Sequence, residues 1–140
     1  MNNTHMITVT GRQRLGAASA SQQFRAAARL LQKDGSLLLT YDEIGEDNRK
    51  THVSLKLADH RAVMIRSGAA QTRMEFDPNR ITGCSYDTGA GILPLEIRTQ
   101  DVSHQIRSAD QRICLRYTLY YSGDVLSENE VTIRLVPIVP

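Results

Sequence analysis

The histidines and cysteines are the residue types most often used for metal binding and nucleophilic catalysis, but their spacing here favours neither role. The cysteines, Cys84 and Cys114, lack a CxxC spacing and have no obvious activating neighbours. The histidines lack the close pairing typical of metal ligands. They are His5, His52, His60 and His104. We therefore predict no metal ligand and no cysteine nucleophile in this chain.

General acid–base catalysis would need two carboxylates held close together, and the sequence marks no such pair. The carboxylates considered are Glu43, Asp87, Glu96 and Asp101, and exposed carboxylates are the usual case in proteins. The glycine-containing run Thr88–Gly91 precedes a predicted strand, whereas a phosphate-binding loop ends in Gly-Lys-Ser/Thr and opens a helix. We therefore predict that the protein is not an enzyme and needs no cofactor.

A set of arginine, methionine and aromatic residues could instead bind a small molecule. An arginine that points into an apolar interior is costly unless it is paired, and an anion is a natural partner for it. Methionine and aromatic side chains can supply the apolar walls of such a site. The predicted ligand-binding residues are Arg66, Met74, Phe76, Tyr86 and Tyr117.

Strand alternation argues against two arginines as ligands in a barrel interior. Tyr117 is predicted to lie on the inner face of its strand, so the adjacent Arg116 should point outward. Arg66 lies next to Ile65, which reads as an inner residue, and the same alternation predicts that Arg66 also points outward. This alternation weakens the case for Arg66 as the partner of an anion inside the barrel.

Short alternating runs divided by turn residues predict that strands position these side chains. The clearest alternation places Ile113, Leu115 and Tyr117 on one face of a strand. About nine or ten strands are predicted, with short loops between them. They cover Met6–Leu15, Gln22–Gln32, Leu37–Tyr41, Thr51–Leu57, Ala62–Arg66, Gln71–Phe76, Arg80–Tyr86, Ile92–Ile106, Arg112–Tyr121 and Val125–Val139. The small, polar segment Gly16–Ser21 reads as a loop.

The segment Gln22–Gln32 has conflicting signals. Its alanines and leucines favour a helix by propensity, and its apolar residues fit a helical stripe. The same residues also alternate as in a strand, and Asp34-Gly35 after them is a hairpin signal. A hairpin needs a strand on each side, so we predict a strand here.

The strand count and short loops predict an all-β fold in a single domain over residues 1–140. An antiparallel up-and-down barrel of about 8–10 strands, of the calycin or lipocalin type, would leave no long strand edge exposed. A two-sheet sandwich is the rival fold, but it usually needs Greek-key crossovers with longer connections.

Composition and termini narrow the class of protein and its partners. The 17 basic residues are scattered among 15 acidic ones, for a formal charge of +2, so no basic patch predicts nucleic-acid binding. No apolar run approaches the roughly 20 residues of a membrane helix, and the N-terminus lacks a secretory signal. We therefore predict a cytoplasmic protein with no membrane partner and with reduced thiols.

The stretch Val63–Thr99 resembles an uncharacterised family of bacterial proteins, DUF1934. The resemblance implies a calycin-like barrel and implies no activity, ligand or catalytic residue. It rests on Met64 through Gly68, Met74, Phe76, Thr82-Gly83, Tyr86, Gly91, Leu93, Leu95 and Thr99. One position departs from the family pattern, because Gly89 stands where the family tends to have proline and gives a more flexible turn.

Two functions are compatible with these observations. In the first, the barrel binds a small apolar or anionic ligand in its interior, which requires that side chains do not fill the barrel. In the second, the core is filled and the protein is a structural or interaction module that self-associates as a homodimer through a sheet face or edge. Tyr120 and Cys114 on the outer face of their strand motivate the second function.

Overall fold

The structure, a computed structural model, describes residues 2–45, 47–68, 71–87 and 90–139. Every regular element in these residues is a β-strand, which confirms the predicted all-β class. They accordingly include no helix of the length and hydropathy that a membrane span requires. The strands are β1 (His5–Leu15), β2 (Ala18–Lys33), β3 (Ser36–Ile44), β4 (Lys50–Ala58), β5 (Arg61–Ser67), β6 (Thr72–Phe76), β7 (Thr82–Asp87), β8 (Ile92–Ile106), β9 (Gln111–Tyr121) and β10 (Asp124–Pro137).

The ten strands of the described residues form one antiparallel sheet in the order β6-β5-β4-β3-β2-β1-β10-β9-β8-β7. The first and last strands, β1 and β10, pair in the middle of this order, and its two ends, β6 and β7, contact each other. The Thr82 hydroxyl donates a hydrogen bond of 2.6 Å to the Glu75 carbonyl oxygen across that seam. The molecule is therefore a nearly closed up-and-down barrel, as predicted, and has no sandwich crossover in its strand order.

One end of the barrel is filled by the apolar inner faces of the strands. Ile7 pairs with Leu135 across β1 and β10, Ile133 pairs with Ile113 across β10 and β9, and all four side chains are fully buried. Beyond them, Gln32 and Gln111 exchange amide hydrogen bonds of 3.2 and 3.4 Å across the barrel. This polar contact covers the filled end, because β2 and β9 are not adjacent strands.

The strand β2 confirms the prediction for Gln22–Gln32 and corrects the one for Gly16–Ser21. The hairpin signal was decisive, since Asp34 and Gly35 both have positive φ (51° and 80°), as a tight hairpin of two residues requires. Within the segment Gly16–Ser21 only Gly16 and Ala17 form a turn, because β2 begins at Ala18 and pairs there with Leu15. The small, polar residues of this segment suggested a loop, but from Ala18 onward they form backbone hydrogen bonds with the neighbouring strand β1.

A gap opens in the barrel wall between β2 and β3. These strands pair from Lys33–Ser36 up to Ala28–Tyr41 and no further. From there the range 18–27 of β2 remains paired with β1, while 42–44 of β3 remain paired with β4. The two strands therefore part beside Tyr41, and the barrel interior is reached from the side as well as from its end.

Candidate functional site

The end of the barrel opposite the Gln32–Gln111 contact is hollow. An open cavity of about 1270 Å³ occupies it and continues through the gap between β2 and β3. This volume exceeds the roughly 300–1,000 Å³ of a typical ligand pocket, and the lining includes residues on both borders of the gap. Side chains from six strands form its apolar wall, namely Phe24, Tyr41, Met64, Met74, Tyr117 and Val131.

Arg66 points into this cavity, and the prediction that it points outward was wrong. Ala62 and Met64 are buried on the inner face of β5, and Arg66 follows them on the same face. Ile65 is the outward residue, with 45% of its surface exposed. The error arose because Val63, Met64 and Ile65 are all apolar, so hydropathy does not show which of them faces the core. The prediction that Arg116 points outward agrees with its exposed position on β9.

The guanidinium of Arg66 is paired with the carboxylate of Glu43 from β3. Its Nη1 atom donates to Glu43 Oε1 at 3.1 Å, and Nη2 donates to Glu43 Oε2, so the contact is bidentate. The Arg66 and Glu43 side chains are 37% and 20% exposed. Bidentate pairing is the strongest arrangement available to arginine and carboxylate. The protein thus supplies its own partner for the inward arginine.

Two phenols add hydroxyl groups to the polar lining of the cavity. Burial raises the pKa of Tyr117 to about 12, and the positive charge of Arg66 partly opposes that rise. The pKa of Tyr41 is raised further, first by burial and then by the Glu43 carboxylate, again against the effect of Arg66. Arg66 therefore lies within electrostatic reach of both hydroxyls. Both phenols stay protonated at neutral pH and can donate and accept hydrogen bonds.

The five sequence-predicted residues are divided between three places. Arg66, Met74 and Tyr117 meet in the cavity. Phe76 is 1% exposed and lies beneath them, with its ring centroid 4.7 Å from that of Tyr117. Tyr86 is 46% exposed on β7 and does not line the cavity. The structure therefore brings three of the five predicted residues together in the cavity and places a fourth, Phe76, in the floor beneath them.

Sequence reasoning missed most of β3's contribution to the cavity. Tyr41 was read only as the end of a strand, and Glu43 only as an exposed carboxylate. Alternation from Leu37 and Leu39 places Tyr41 and Glu43 on the same inner face, and that signal was available in the sequence. Phe24 on β2 was also missed; its ring centroid lies 6.1 Å from that of Tyr41.

A second concavity, of about 800 Å³, lies beside the tip of the β1–β2 hairpin. Its charged groups alternate in sign across the strands, with Arg12 opposite Glu130 and Glu130 opposite Arg116. Arg14 forms an ion pair with Glu128 in the same region. These charges compensate one another on an exposed surface, so the concavity offers no net charge to a charged ligand.

The two cysteines lie on different faces of the sheet. Cys84 is buried on the inner face of β7, Cys114 lies half-buried on the outer face of β9, and both are free thiols. Burial raises the pKa of each thiol, so the reactive thiolate is disfavoured at both. In the part of the chain that the structure describes, no three His, Cys, Asp or Glu side chains are grouped closely enough to hold a metal ion.

Comparison with known proteins identifies the family. The crystal structure of the YwiB protein from Bacillus subtilis is similar to this one, with a TM-score of 0.83 over 98% of this chain and 93% of that chain. The two sequences are 18% identical, so this similarity shows a shared fold. No curated protein matches the chain. Gly89, where the sequence departs from the family pattern, lies outside the described residues. A family model described as "Domain of unknown function (DUF1934)" matches residues 7–133, and the chain therefore belongs to the DUF1934 family.

Proposed function

We propose that this protein binds a small amphipathic molecule in the hollow end of its barrel. The observation that carries the proposal is the Arg66–Glu43 pair, held inside an apolar cavity that the protein's own side chains leave open. A ligand site typically combines apolar walls with a few polar groups that fix orientation. Met64, Met74 and Phe24 supply the walls, and the ion pair supplies the polar groups.

The gap between β2 and β3 gives the ligand a route into the cavity. Residues 22–27 of β2 and 40–44 of β3 border the cavity on its two sides. A ligand that enters between them passes Tyr41 and meets Arg66 and Glu43 without unfolding any strand pair. The filled end of the barrel, below Phe76, then forms the floor against which an apolar chain rests.

Filling the cavity is expected to abolish binding of an apolar dye. Ala26 lies on the inner face of β2 and lines the cavity. The variant Ala26→Trp places a large ring there. We expect its apparent affinity for Nile red, an uncharged dye whose fluorescence rises on binding, to be at least about tenfold lower than that of the wild type. Dye titration measures this directly, and mass spectrometry under native conditions would detect any ligand that co-purifies.

Ile65→Trp is the matched control for this experiment. It adds an indole on the outward face of β5, next to the cavity wall but outside it. We expect wild-type dye affinity in this variant. Failure of the wild-type protein to bind the dye, or equal binding by the Ala26→Trp variant, would contradict ligand binding in the barrel.

A second candidate function is self-association through the edge of β2, because residues 18–27 pair with β1 on one side only. From Ala18 to Gln23 this edge is exposed, and it carries none of the charges or prolines that usually protect a strand edge. An antiparallel pairing of two copies would oppose Arg25 to Ser19 if Gln22 lies on the twofold axis, so no like charges would meet.

Light scattering over a range of protein concentrations tests the homodimer. We expect the wild-type mass to approach twice that of one chain at high concentration. The variant Ser19→Lys/Ser21→Lys should stay monomeric, because it places ammonium groups along the edge. A wild-type protein that remains monomeric at every concentration would exclude this candidate.

We also propose that the protein acts in the cytoplasm. The support for this location is the separation of the thiols of Cys84 and Cys114 on opposite faces of the sheet, since proteins of reducing compartments keep such cysteines unpaired.

A further inference from the structure

We propose that the ligand's polar head is an uncharged group that both donates and accepts hydrogen bonds, such as a carboxamide, rather than a carboxylate. This inference rests on the proposed function and names the class of molecule that the cavity takes. The observation behind it is that Glu43 already neutralises Arg66 inside the cavity.

The bidentate contact leaves no net positive charge to hold an anion. Both oxygens of Glu43 face the guanidinium. A ligand carboxylate approaching Arg66 would therefore lie close to the Glu43 carboxylate, and like charges in a partly dehydrated site repel strongly. It would also have to leave water, and the site could not repay that cost without displacing Glu43.

The remaining charged groups that border the cavity, Arg25, Arg29 and Asp42, lie on the outer faces of β2 and β3. Arg25 and Arg29 alternate with the inward alanines of β2 and lie on the outer face of that strand. Asp42 lies on the outer face of β3 and binds His52, with 2.9 Å between Oδ1 and Nδ1. Among the described inward-facing residues that border the cavity, Arg66 and Glu43 are the charged ones.

The hydrogen-bonding groups of the cavity match an uncharged head. The guanidinium has five N–H donors, and Glu43 occupies those on its two terminal nitrogens that point toward β3, which leaves others for a carbonyl oxygen. The protonated hydroxyls of Tyr41 and Tyr117 can donate to the same oxygen. Each Glu43 oxygen keeps a second lone pair that can accept an N–H from an amide. A carboxamide satisfies both kinds of group, and a carboxylate satisfies only the donors.

The test compares decanamide with decanoate, two probes that share a chain length and differ in the charge of the head. Each probe displaces Nile red from the wild-type protein near neutral pH, where decanoate is ionised. We expect decanamide to bind at least about tenfold more tightly. In the variant Glu43→Gln the guanidinium loses its counter-charge, and the preference should shift toward decanoate by at least about tenfold.

Glu75→Gln is the control, because Glu75 forms ion pairs with Arg73 and Arg80 on the outer surface. This variant should keep the wild-type preference. Tighter binding of decanoate by the wild-type protein overturns the inference, and this comparison needs no variant to fold. An unchanged preference in a folded Glu43→Gln protein also overturns it. If Nile red binds and neither probe displaces it, the head-group inference fails alone; if neither dye nor probe binds, the proposed function fails with it.

Discussion

Replacement of Phe76 by alanine is expected to lower the free energy of unfolding by about 3–5 kcal/mol, the usual cost of removing a buried phenylalanine. Phe76 is 1% exposed and is among the largest fully buried side chains. Its ring packs against Tyr117 with centroids 4.7 Å apart, in the tilted geometry that aromatic pairs favour. Because Phe76 separates the filled core from the cavity above it, the space left by alanine would join that cavity. Urea unfolding followed by circular dichroism measures the loss.

Tyr86→Ala is the comparison for this prediction, because Tyr86 belonged to the same sequence-predicted set. Its side chain is 46% exposed and lies outside the cavity. We expect its removal to change the free energy of unfolding by less than about 1 kcal/mol. Similar losses in the two variants would contradict the assignment of Phe76 to the floor of the cavity and of Tyr86 to the surface.

The fold could be predicted from the sequence because its signals are local and repeated. Alternation of period two marks the inner face of β9, where Ile113 and Leu115 are fully buried. The Asp34-Gly35 turn identifies β2 as a strand even though its alanines favour a helix. Once about ten strands with short loops are established, a barrel follows, since it leaves few strand edges exposed.

The candidate site could be predicted only in part because it depends on phase and on distant contacts. Arg66 was assigned to the wrong face because the residues before it are all apolar and leave the phase of β5 open. Its partner Glu43 lies 23 residues away, and two strands must pair with β4 before the two side chains meet. The parting of β2 from β3 at Ala28 has no local signal, because residues 18–27 of β2 pair with β1 as in an ordinary strand.

Replacement of Glu43 by alanine is expected to lower the free energy of unfolding by about 1–3 kcal/mol, the cost of leaving one charged partner unsatisfied. A fully buried pair would lose about 3–5 kcal/mol, but Arg66 is 37% exposed and water screens part of its charge. Urea unfolding again measures the change. Glu128→Ala is the control, because Glu128 and its partner Arg14 are 49% and 62% exposed, and we expect a loss below about 1 kcal/mol.

The double variant Glu43→Leu/Arg66→Met distinguishes a pair kept for stability from one kept for binding. Apolar residues of similar size often replace such a pair without loss, and sometimes with a gain of about 1–4 kcal/mol. We expect the double variant to be at least as stable as the wild type while its affinity for decanamide falls, because the groups that bind the amide head are gone. A double variant less stable than Glu43→Ala would mean that the pair holds β3 and β5 together. A stable double variant with weakened decanamide binding would instead mean that the barrel retains two charges in its interior to orient a ligand.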